Sequence, residues 1–294
     1  MRPKQTAIKR DILEWLIYQP YRVKTSWQFY RYRDQYTPSQ RSNKVVVSLT
    51  SFPARFGKLH NCLKALIGQK VKPDRLVLYL SSEECKGHSL PETITTLQKY
   101  GLEIRYTEQN HRSFNKIVHA LKDFPSDILV TCDDDKLYPS DWLQKLLVGH
   151  DAHPEHVVCL RSRMIARDHE GQLLPYRDWP AGKSGIPCHT TLPLGVGGVL
   201  YPPQCFTKDV LNTDLFEELC PSADDLWLKF LGMQNNRKAV QLGDSPERHA
   251  SIPFWDGQKL SVGNIWGNQN DVSLQRLIRH FGTPPDKMTK EGPG

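Results

Sequence analysis

The sequence predicts an α/β fold in which a mainly parallel central sheet lies between two layers of helices. Two observations lead to this prediction. From residue 44 to residue 131, apolar runs of strand length alternate with stretches of helical periodicity. Strands and helices that alternate along a chain form parallel sheets with right-handed crossovers. The chain has 294 residues, 38% of them hydrophobic, which is enough to bury a full core.

Four apolar runs are the predicted strands of this alternation. Between the first and the second, residues 59, 62, 63, 66 and 67 are apolar, which is the spacing of an amphipathic helix. A short helix starting near Pro91 follows the second run, and a helix over 114–121 follows the third. The runs cover residues 45–50, 76–80, 102–106 and 128–131.

The order of these strands decides which residues meet. In the order 3-2-1-4, the first and fourth strands are neighbours where the winding reverses, and ligands bind beyond their carboxyl ends. That order brings Ser48, Thr50 and Arg55 next to the acidic residues that follow the fourth strand. No GxGxxG sequence follows the first strand, so a dinucleotide cofactor is not indicated.

Three consecutive aspartates, Asp133 to Asp135, follow the fourth strand. Carboxylates so close together repel each other, and a divalent cation is a common way to relieve that cost. In an extended chain the side chains of Asp133 and Asp135 point to one side and that of Asp134 to the other. Oxygen ligands favour Mg²⁺ or Mn²⁺ over zinc. The alternative interpretation is a solvated acidic turn that caps the next helix.

The chain after the aspartates predicts further helices and strands around a glycine-rich stretch. Ser140 is the expected N-cap of a helix, residues 156–160 are a strand, and residues 165–191 are irregular. The glycines of 195–198 lie in an apolar stretch and not before a helix. They therefore predict a floor under a flat ligand and not a phosphate loop.

Two adjacent acids, Asp224 and Asp225, begin another predicted helix. Ser222 and Asp225 have the spacing of a capping box, in which the two side chains stabilise the start of the helix. A capping box would account for Asp225 alone and leaves the pair unexplained.

Residues 1–43 form a basic, aromatic leader. They contain nine Lys or Arg and three acids, a net charge of +6 out of the +7 of the whole chain. A nucleic-acid-binding domain would spread its basic surface through the fold, so that function is not expected. Tryptophans and tyrosines interleaved with basic residues at helical spacing suit an anionic membrane surface. A helix packed on the following domain and docking to a partner enzyme are the alternatives.

The remaining composition bears on location. The seven scattered cysteines contain no CxxC pair, which argues against zinc and disulfide frameworks and favours a reducing cytosol. No apolar run approaches the ~20 residues of a membrane span. We therefore expect a cytoplasmic protein, with peripheral contact to the inner face of the cytoplasmic membrane if the leader binds lipid. The predicted segments are the leader (1–43), one domain (44–281) and a flexible tail (282–294).

Four stretches taken together resemble the bacterial family 2-like glycosyltransferases of the GT-A fold, which act in capsule and lipopolysaccharide synthesis. The stretches are residues 47–55, 133–135, 195–198 and 223–227. The resemblance covers about residues 44–280 and leaves out the leader. It implies a GT-A (Rossmann-like) three-layer fold.

The resemblance also implies a nucleotide-sugar donor, most often a UDP-sugar. Residues 133–135 look like the DxD motif of the family, in which Asp135 would coordinate Mn²⁺ or Mg²⁺ and Asp133 would bind the ribose or the ion. Arg112 and Lys116 would neutralise the diphosphate, or are ordinary surface charges. The implied nucleotide-sugar site consists of Ser48, Thr50, Arg55, Arg112, Lys116, Asp133 and Asp134.

On the acceptor side, the Asp224–Asp225 pair resembles the ED motif of the family, whose second acid is the general base in inverting members. Asp225 would take the proton of the acceptor hydroxyl as that oxygen attacks the anomeric carbon. The first position of this pair is aspartate, where glutamate is usual in the family. Either Asp224 or Asp225 can therefore be assigned as the general base. The implied acceptor site contains Gly197, Gly198 and Trp227, although Trp227 equally suits a buried core position.

These motifs favour metal-dependent sugar transfer to a glycan or lipid-linked acceptor, with two alternatives. A nucleotidyl or phosphoryl transferase also uses paired aspartates and Mg²⁺, but it needs a phosphate loop after the first strand, which residues 50–55 do not resemble. A non-catalytic glycan-binding protein with the same fold has no need to crowd carboxylates. The QxxRW signature of processive synthases is missing from the sequence, which favours transfer of single sugars.

Overall fold

The computed structural model describes residues 3–35, 41–243, 247, 249–253 and 268–281, with side chains from residue 13 onward. The predicted tail, 282–294, lies outside the described residues. The helices are α1 (Pro3–Tyr32), α2 (Phe56–Ile67), α3 (Ser82–Cys85), α4 (Glu92–Thr95), α5 (Asn115–Asp123), α6 (Trp142–Ala152), α7 (Thr213–Leu219), α8 (Asp224–Gln234) and α9 (Gln269–Phe281). The strands are β1 (Val45–Thr50), β2 (Arg75–Ser81), β3 (Leu102–Thr107), β4 (Ile128–Thr131), β5 (Lys136–Leu137), β6 (Val157–Cys159), β7 (Ser162–Met164), β8 (Thr191–Pro193), β9 (Val199–Tyr201), β10 (Ala239–Gln241) and β11 (Ala250–Ser251).

A seven-stranded, mostly parallel sheet forms the centre of the fold, in the order β10-β6-β9-β4-β1-β2-β3. The predicted order 3-2-1-4 is confirmed, because β1 pairs in parallel with both β2 and β4. Strand β9 is antiparallel to its neighbours β4 and β6. Two further strand pairs, β5 with β11 and β7 with β8, lie outside this sheet.

Helices cover both faces of the sheet, as the sequence predicts for a three-layer fold. Because side chains alternate along a strand, Val47 and Leu49 of β1 face α2 and α6, whereas Val46 faces α5 and α8. Burial of a large apolar side chain stabilises the fold by about 1.5–3 kcal/mol. The two layers of apolar contacts therefore fix the strands, and with them the ends of the strands.

Helix α1 packs one of its faces against the rest of the domain. Tyr18, Gln28 and Phe29 are buried there. The side-chain amide of Gln28 donates hydrogen bonds to the carbonyl oxygens of Ala65 and Tyr138, at 2.9 and 3.3 Å. This part of the leader therefore belongs to the packed structure. None of the described helices has both the length and the hydrophobicity needed to cross a membrane.

The start of α6 differs from the prediction. Asp141, and not Ser140, precedes the helix, and neither residue caps it with a side-chain hydrogen bond to the helix backbone. The chain turns earlier than expected, since the Trp142 amide donates to the carbonyl of Pro139. The carboxylate of Asp141 instead lies 3.4 Å from the ammonium of Lys145.

The glycines Gly197 and Gly198 are buried by protein, and this corrects their predicted role as a floor for the acceptor. A Cβ at Gly197 would lie 2.6 Å from the Cβ of Arg161. Gly198 has a φ of +92°, and a Cβ there would lie 2.4 Å from Nε1 of the buried Trp142. The indole of Trp142 in turn donates a 2.9 Å hydrogen bond to the carbonyl of Gly197. The missing side chains make room for Trp142 and Arg161.

Gly198→Ala should destabilise the protein by about 2–5 kcal/mol, because it combines an unfavourable φ with overlap against Trp142. Gly87→Ala is the matched control. Gly87 also has a positive φ, +80°, but no atom lies within 4 Å of the added Cβ, so about 1–2 kcal/mol is expected. Urea unfolding measures both losses. Equal losses would show that Trp142 does not constrain Gly198.

Candidate active site

Three segments meet at the carboxyl edge of the central sheet. The aspartates 133–135 follow β4, and Lys116 lies in the first turn of α5, which leads into β4. Asp224 and Asp225 form the first turn of α8, which leads into β10. The ammonium of Lys116 joins the segments, since it lies 2.9 Å from Oδ1 of Asp133 and 3.0 Å from Oδ2 of Asp224.

Lys116 is buried, with 5% of its surface exposed, so its charge depends on these carboxylates. Burial opposes the charge, but Asp133, Asp224 and Asp225 outweigh it and raise the pKa of Lys116 well above its usual value. Burial alone would also raise the pKa of Asp133, yet Lys116 holds that pKa below its usual value. The pair therefore stays ionised at neutral pH.

Asp225 is held by a glycine that the sequence analysis did not select. Its Oδ1 accepts a hydrogen bond from the Gly195 amide at 3.0 Å. Burial, reinforced by Asp224, raises the pKa of Asp225 to about 8, although Lys116 acts in the opposite direction. A carboxylate with such a pKa can accept a proton near neutral pH.

The start of α8 differs from the predicted capping box. Ala223, and not Ser222, is the residue that precedes the helix. The hydroxyl of Ser222 donates to the side chain of Gln269 at 3.3 Å. The carboxylate of Asp225 faces Gly195 and Lys116.

The strand topology explains why Gly195 reaches the aspartates. Strand β9 is antiparallel to β4 and pairs Val199 with Thr131, so the turn before β9 lies beside the end of β4. A Cβ at Gly195 would lie 3.1 Å from Nζ of Lys116 and 3.2 Å from Oδ1 of Asp225. Glycine at this position keeps the space between the two acidic motifs open.

The three consecutive aspartates have different surroundings. Asp134 is buried against Arg55 and Ser51, which both donate to its carboxylate, whereas Asp133 contacts Lys116. Burial raises the pKa of Asp134 to about 6, against the opposing charge of Arg55. Asp134 and Arg55 therefore form an ion pair with each other. The structure does not support a nucleotide contact by Asp134.

Asp135 has an oxygen that suits a metal ion. Its Oδ1 is buried and accepts no hydrogen bond from the described residues, and the ammonium of Lys136 lies 3.4 Å from it. Asp133 and Asp135 thus fit a divalent cation that prefers oxygen ligands. Within the described part of the chain, no group of three His, Cys, Asp or Glu side chains could hold a metal ion.

The first-strand residues make hydrogen bonds to the backbone of neighbouring elements. Ser48 is fully buried, and its hydroxyl donates to the carbonyl of Lys116, which corrects its assignment to the nucleotide-sugar site. Thr50 donates to the carbonyl of Tyr79 at 2.9 Å. Ser48 therefore positions the backbone that carries the central ammonium.

Two other predicted site residues, Trp227 and Arg112, differ in burial. Trp227 is fully buried and its indole lies 3.4 Å from the carbonyl of Val210, so the core alternative applies and the acceptor role is wrong. Arg112 is exposed, with a φ of +54°, and no contact with the aspartates is seen among the described residues. Its role toward a diphosphate stays a prediction.

Tyr138 is a supporting residue that sequence reasoning missed. Its buried hydroxyl accepts a hydrogen bond from the Asp133 amide at 2.9 Å. The position three residues beyond the third aspartate carries no recognisable signal, because the contact depends on the tight turn between β4 and β5. Gly195 lay within the glycine-rich stretch, but only the antiparallel strand β9 places it at the site.

Comparison with known proteins gives a family match for the first half of the domain. Residues 54–187 match the model of Glycosyl transferase family 2. This range contains Lys116 and the three consecutive aspartates, and it ends before α8. No curated protein matches the sequence of this chain.

Two solved structures share the fold. The mannosyltransferase PcManGT from Pyrobaculum calidifontis, solved with GDP-Man and Mn²⁺, superposes with a TM-score of 0.51 at 14% identity, over 94% of this chain and 77% of its own. GalNAc-T7, solved with UDP, GalNAc and Mn²⁺, superposes with a TM-score of 0.50 at 12% identity, over 82% of this chain and 48% of its own. At these identities the likeness establishes the fold. With the family 2 match, it makes this chain a glycosyltransferase of the GT-A fold.

Proposed function

We propose that this chain transfers a sugar from a UDP-sugar to a hydroxyl of a glycan or lipid-linked acceptor, with inversion and with Mn²⁺ or Mg²⁺ as cofactor. One observation carries the proposal. Lys116 joins the DxD-like aspartates to the Asp224–Asp225 pair through contacts of 2.9 and 3.0 Å. A donor site and an acceptor-side base must adjoin for direct transfer, and this ammonium brings their two motifs together.

The donor side of the proposed site consists of carboxylates and one buried cation. Asp133 and Asp135 would hold the metal ion, because Asp135 carries a buried oxygen to which no described residue donates a hydrogen bond. Such an ion stabilises the negative charge that develops on a departing nucleoside diphosphate. The ammonium of Lys116 keeps its positive charge beside Asp133 and would stabilise the same negative charge. The choice of a UDP-sugar rests on the resemblance to bacterial family 2-like enzymes.

The acceptor side requires a base, and we assign this role to Asp225. Its carboxylate takes the proton of the acceptor hydroxyl while that oxygen bonds to the anomeric carbon. The bond from the anomeric carbon to the phosphate oxygen breaks, and the electron pair leaves with the nucleotide. Gly195 orients the base through its 3.0 Å hydrogen bond, and Asp224 is engaged by Lys116. A direct displacement of this kind inverts the anomeric configuration.

The proposed pathway is the synthesis of a bacterial cell-surface polysaccharide, of the capsule or lipopolysaccharide type. This proposal rests on the same four sequence stretches that resemble the bacterial enzymes, and on the family 2 match over residues 54–187. The proposed location is the cytoplasm, where nucleotide-sugars are the expected donors.

Asp135→Asn should weaken the binding of UDP in Mn²⁺ by about tenfold or more, because it removes a charged ligand of the cation. Calorimetric titration of UDP measures the effect. Asp141→Asn is the control, since Asp141 lies six residues further along and contacts only Lys145 among the described residues. UDP affinity that is unchanged in Asp135→Asn would contradict the metal assignment.

Asp225→Asn should keep UDP binding but lower transfer by about 10²–10⁴-fold, because the amide cannot accept the proton. In the wild type, the base must be deprotonated, so the transfer rate should rise with pH and level off above the Asp225 pKa of about 8. The assay follows UDP release from the UDP-sugar that the wild type uses.

Asp214→Asn is the control for this variant, because Asp214 lies in the first turn of α7 and is exposed. It should retain both the rate and the pH profile of the wild type. A fully active Asp225→Asn variant would remove Asp225 from the mechanism and would favour a non-catalytic use of this acidic pair.

A further inference from the structure

Helix α1 exposes an apolar face to solvent along its described length. Trp15 and Tyr21 are 43% and 47% exposed, and six further large apolar side chains on one side of the helix have between 54% and 64% of their surface exposed. We call this the outer face of α1, and it consists of Leu13, Leu16, Ile17, Val23, Trp27 and Tyr30. Isolated apolar residues are common on protein surfaces, but a continuous set on one helix face indicates an interaction site.

The outer face lies opposite the buried face of the same helix. At about 100° per residue, its members fall within one side of the helix, whereas Tyr18, Thr25 and Phe29 fall on the other. The buried face already fastens α1 to the domain through Gln28. The outer face is therefore not needed to hold the helix in place, and its apolar composition requires another explanation.

The charges around the outer face indicate what it contacts. Residues 15–33 contain four cations and no Asp or Glu, and at about 100° per residue Lys24 and Arg31 fall on the side of the outer face. Arg33, on the other side, pairs with Asp34 at 3.1 Å. The guanidinium of Arg31 lies 5.0 Å from the ring centroid of Trp27, so charge and aromatic surface adjoin. A second copy of this chain would bring the same positive charge to the interface and be repelled.

We propose that the outer face of α1 docks on an anionic lipid surface, with the helix lying parallel to the membrane plane. Apolar side chains enter the boundary between headgroups and acyl chains, and the flanking cations contact the lipid phosphates. Tryptophan and tyrosine suit this boundary because each combines an apolar ring with a polar group. The buried face of α1 carries the rest of the domain on the other side.

Docking through α1 would hold the acidic motifs close to the membrane. Gln28 donates to the carbonyl of Tyr138, and the hydroxyl of Tyr138 accepts the amide of Asp133. One residue thus separates the docking helix from the first aspartate. A site held close to the membrane suits a lipid-linked acceptor, and this point rests on the proposed function. The docking of α1 on lipid does not depend on the proposed function.

Vesicle co-sedimentation of the full chain tests the docking. Wild-type protein should sediment with vesicles of phosphatidylcholine containing about 30% phosphatidylglycerol, less so at high salt, and not with phosphatidylcholine alone. The double variant Leu16→Glu with Trp27→Glu should lower the bound fraction at least about tenfold, because it places charge in the apolar boundary. Deletion of the leader is a poorer test, because it would also uncover the surface under α1.

The matched control is Val148→Glu with Ile186→Glu, which changes the net charge equally. Val148 and Ile186 are 62% and 69% exposed and lie outside α1. This control should bind anionic vesicles like the wild type, and circular dichroism confirms that both double variants fold.

Three results would each overturn the proposal. They are no sedimentation of the wild type with anionic vesicles, equal sedimentation of the outer-face variant, and equal binding to phosphatidylcholine alone. Light scattering adds a fourth, because a dimer that the outer-face variant dissociates would make this face a contact between copies of the chain. No activity is measured, so failure of the glycosyltransferase assay would leave the result unaffected.

Discussion

The ammonium of Lys116 is the interaction on which the site depends. A buried charge is costly unless it is paired, and here Asp133 and Asp224 pair with it at 2.9 and 3.0 Å. The same charge allows carboxylates from two distant parts of the chain to lie together despite their repulsion. The site is therefore one electrostatic unit, with Ser48 bonding to the backbone of Lys116.

The carboxylates around Lys116 have two kinds of role: one of them stabilises the fold, and the others are available for chemistry. Asp134 is used by the fold, where Arg55 and Ser51 satisfy its oxygens. Asp135 keeps a buried oxygen that accepts no hydrogen bond in the described part of the chain, and Asp225 keeps a raised pKa. An unsatisfied oxygen and a perturbed pKa are costs for folding, and such costs are expected where residues serve chemistry.

Much of this fold could be predicted from the sequence because its signals are local. Apolar runs and helical periodicity identified β1 to β4, and the order 3-2-1-4 assumed for them placed Arg55 beside the aspartates, as the structure shows. The antiparallel strand β9 could not be predicted, because its pairing with β4 joins residues about 70 positions apart. The contact between Lys116 and Asp224, more than 100 positions apart, was missed for the same reason.

Residue roles were harder to predict than elements. Two glycines of the same stretch look alike in the sequence but differ in the structure. Gly195 keeps the space between the acidic motifs open, whereas Gly198 makes room for Trp142. Trp227 and Trp27 are equally ambiguous without the fold. The first is buried in the core, and the second lies exposed on the outer face of α1.

Unfolding of Lys116→Met at two pH values tests the central role of the ammonium most directly. The variant leaves buried carboxylates uncompensated, so at pH 8 it should lose about 3–5 kcal/mol of unfolding free energy. Because Lys116 lowers the pKa of Asp133, its loss raises that pKa. The penalty should therefore be largest above the Asp133 pKa of the variant and shrink toward pH 5, as this carboxylate takes up a proton.

Lys122→Met, on the same helix but exposed, should change the stability little at either pH. A loss in Lys116→Met that shrinks toward pH 5 would support the electrostatic unit described above. An equal loss at both pH values would mean that Lys116 only fills space, and no loss at either would contradict the account.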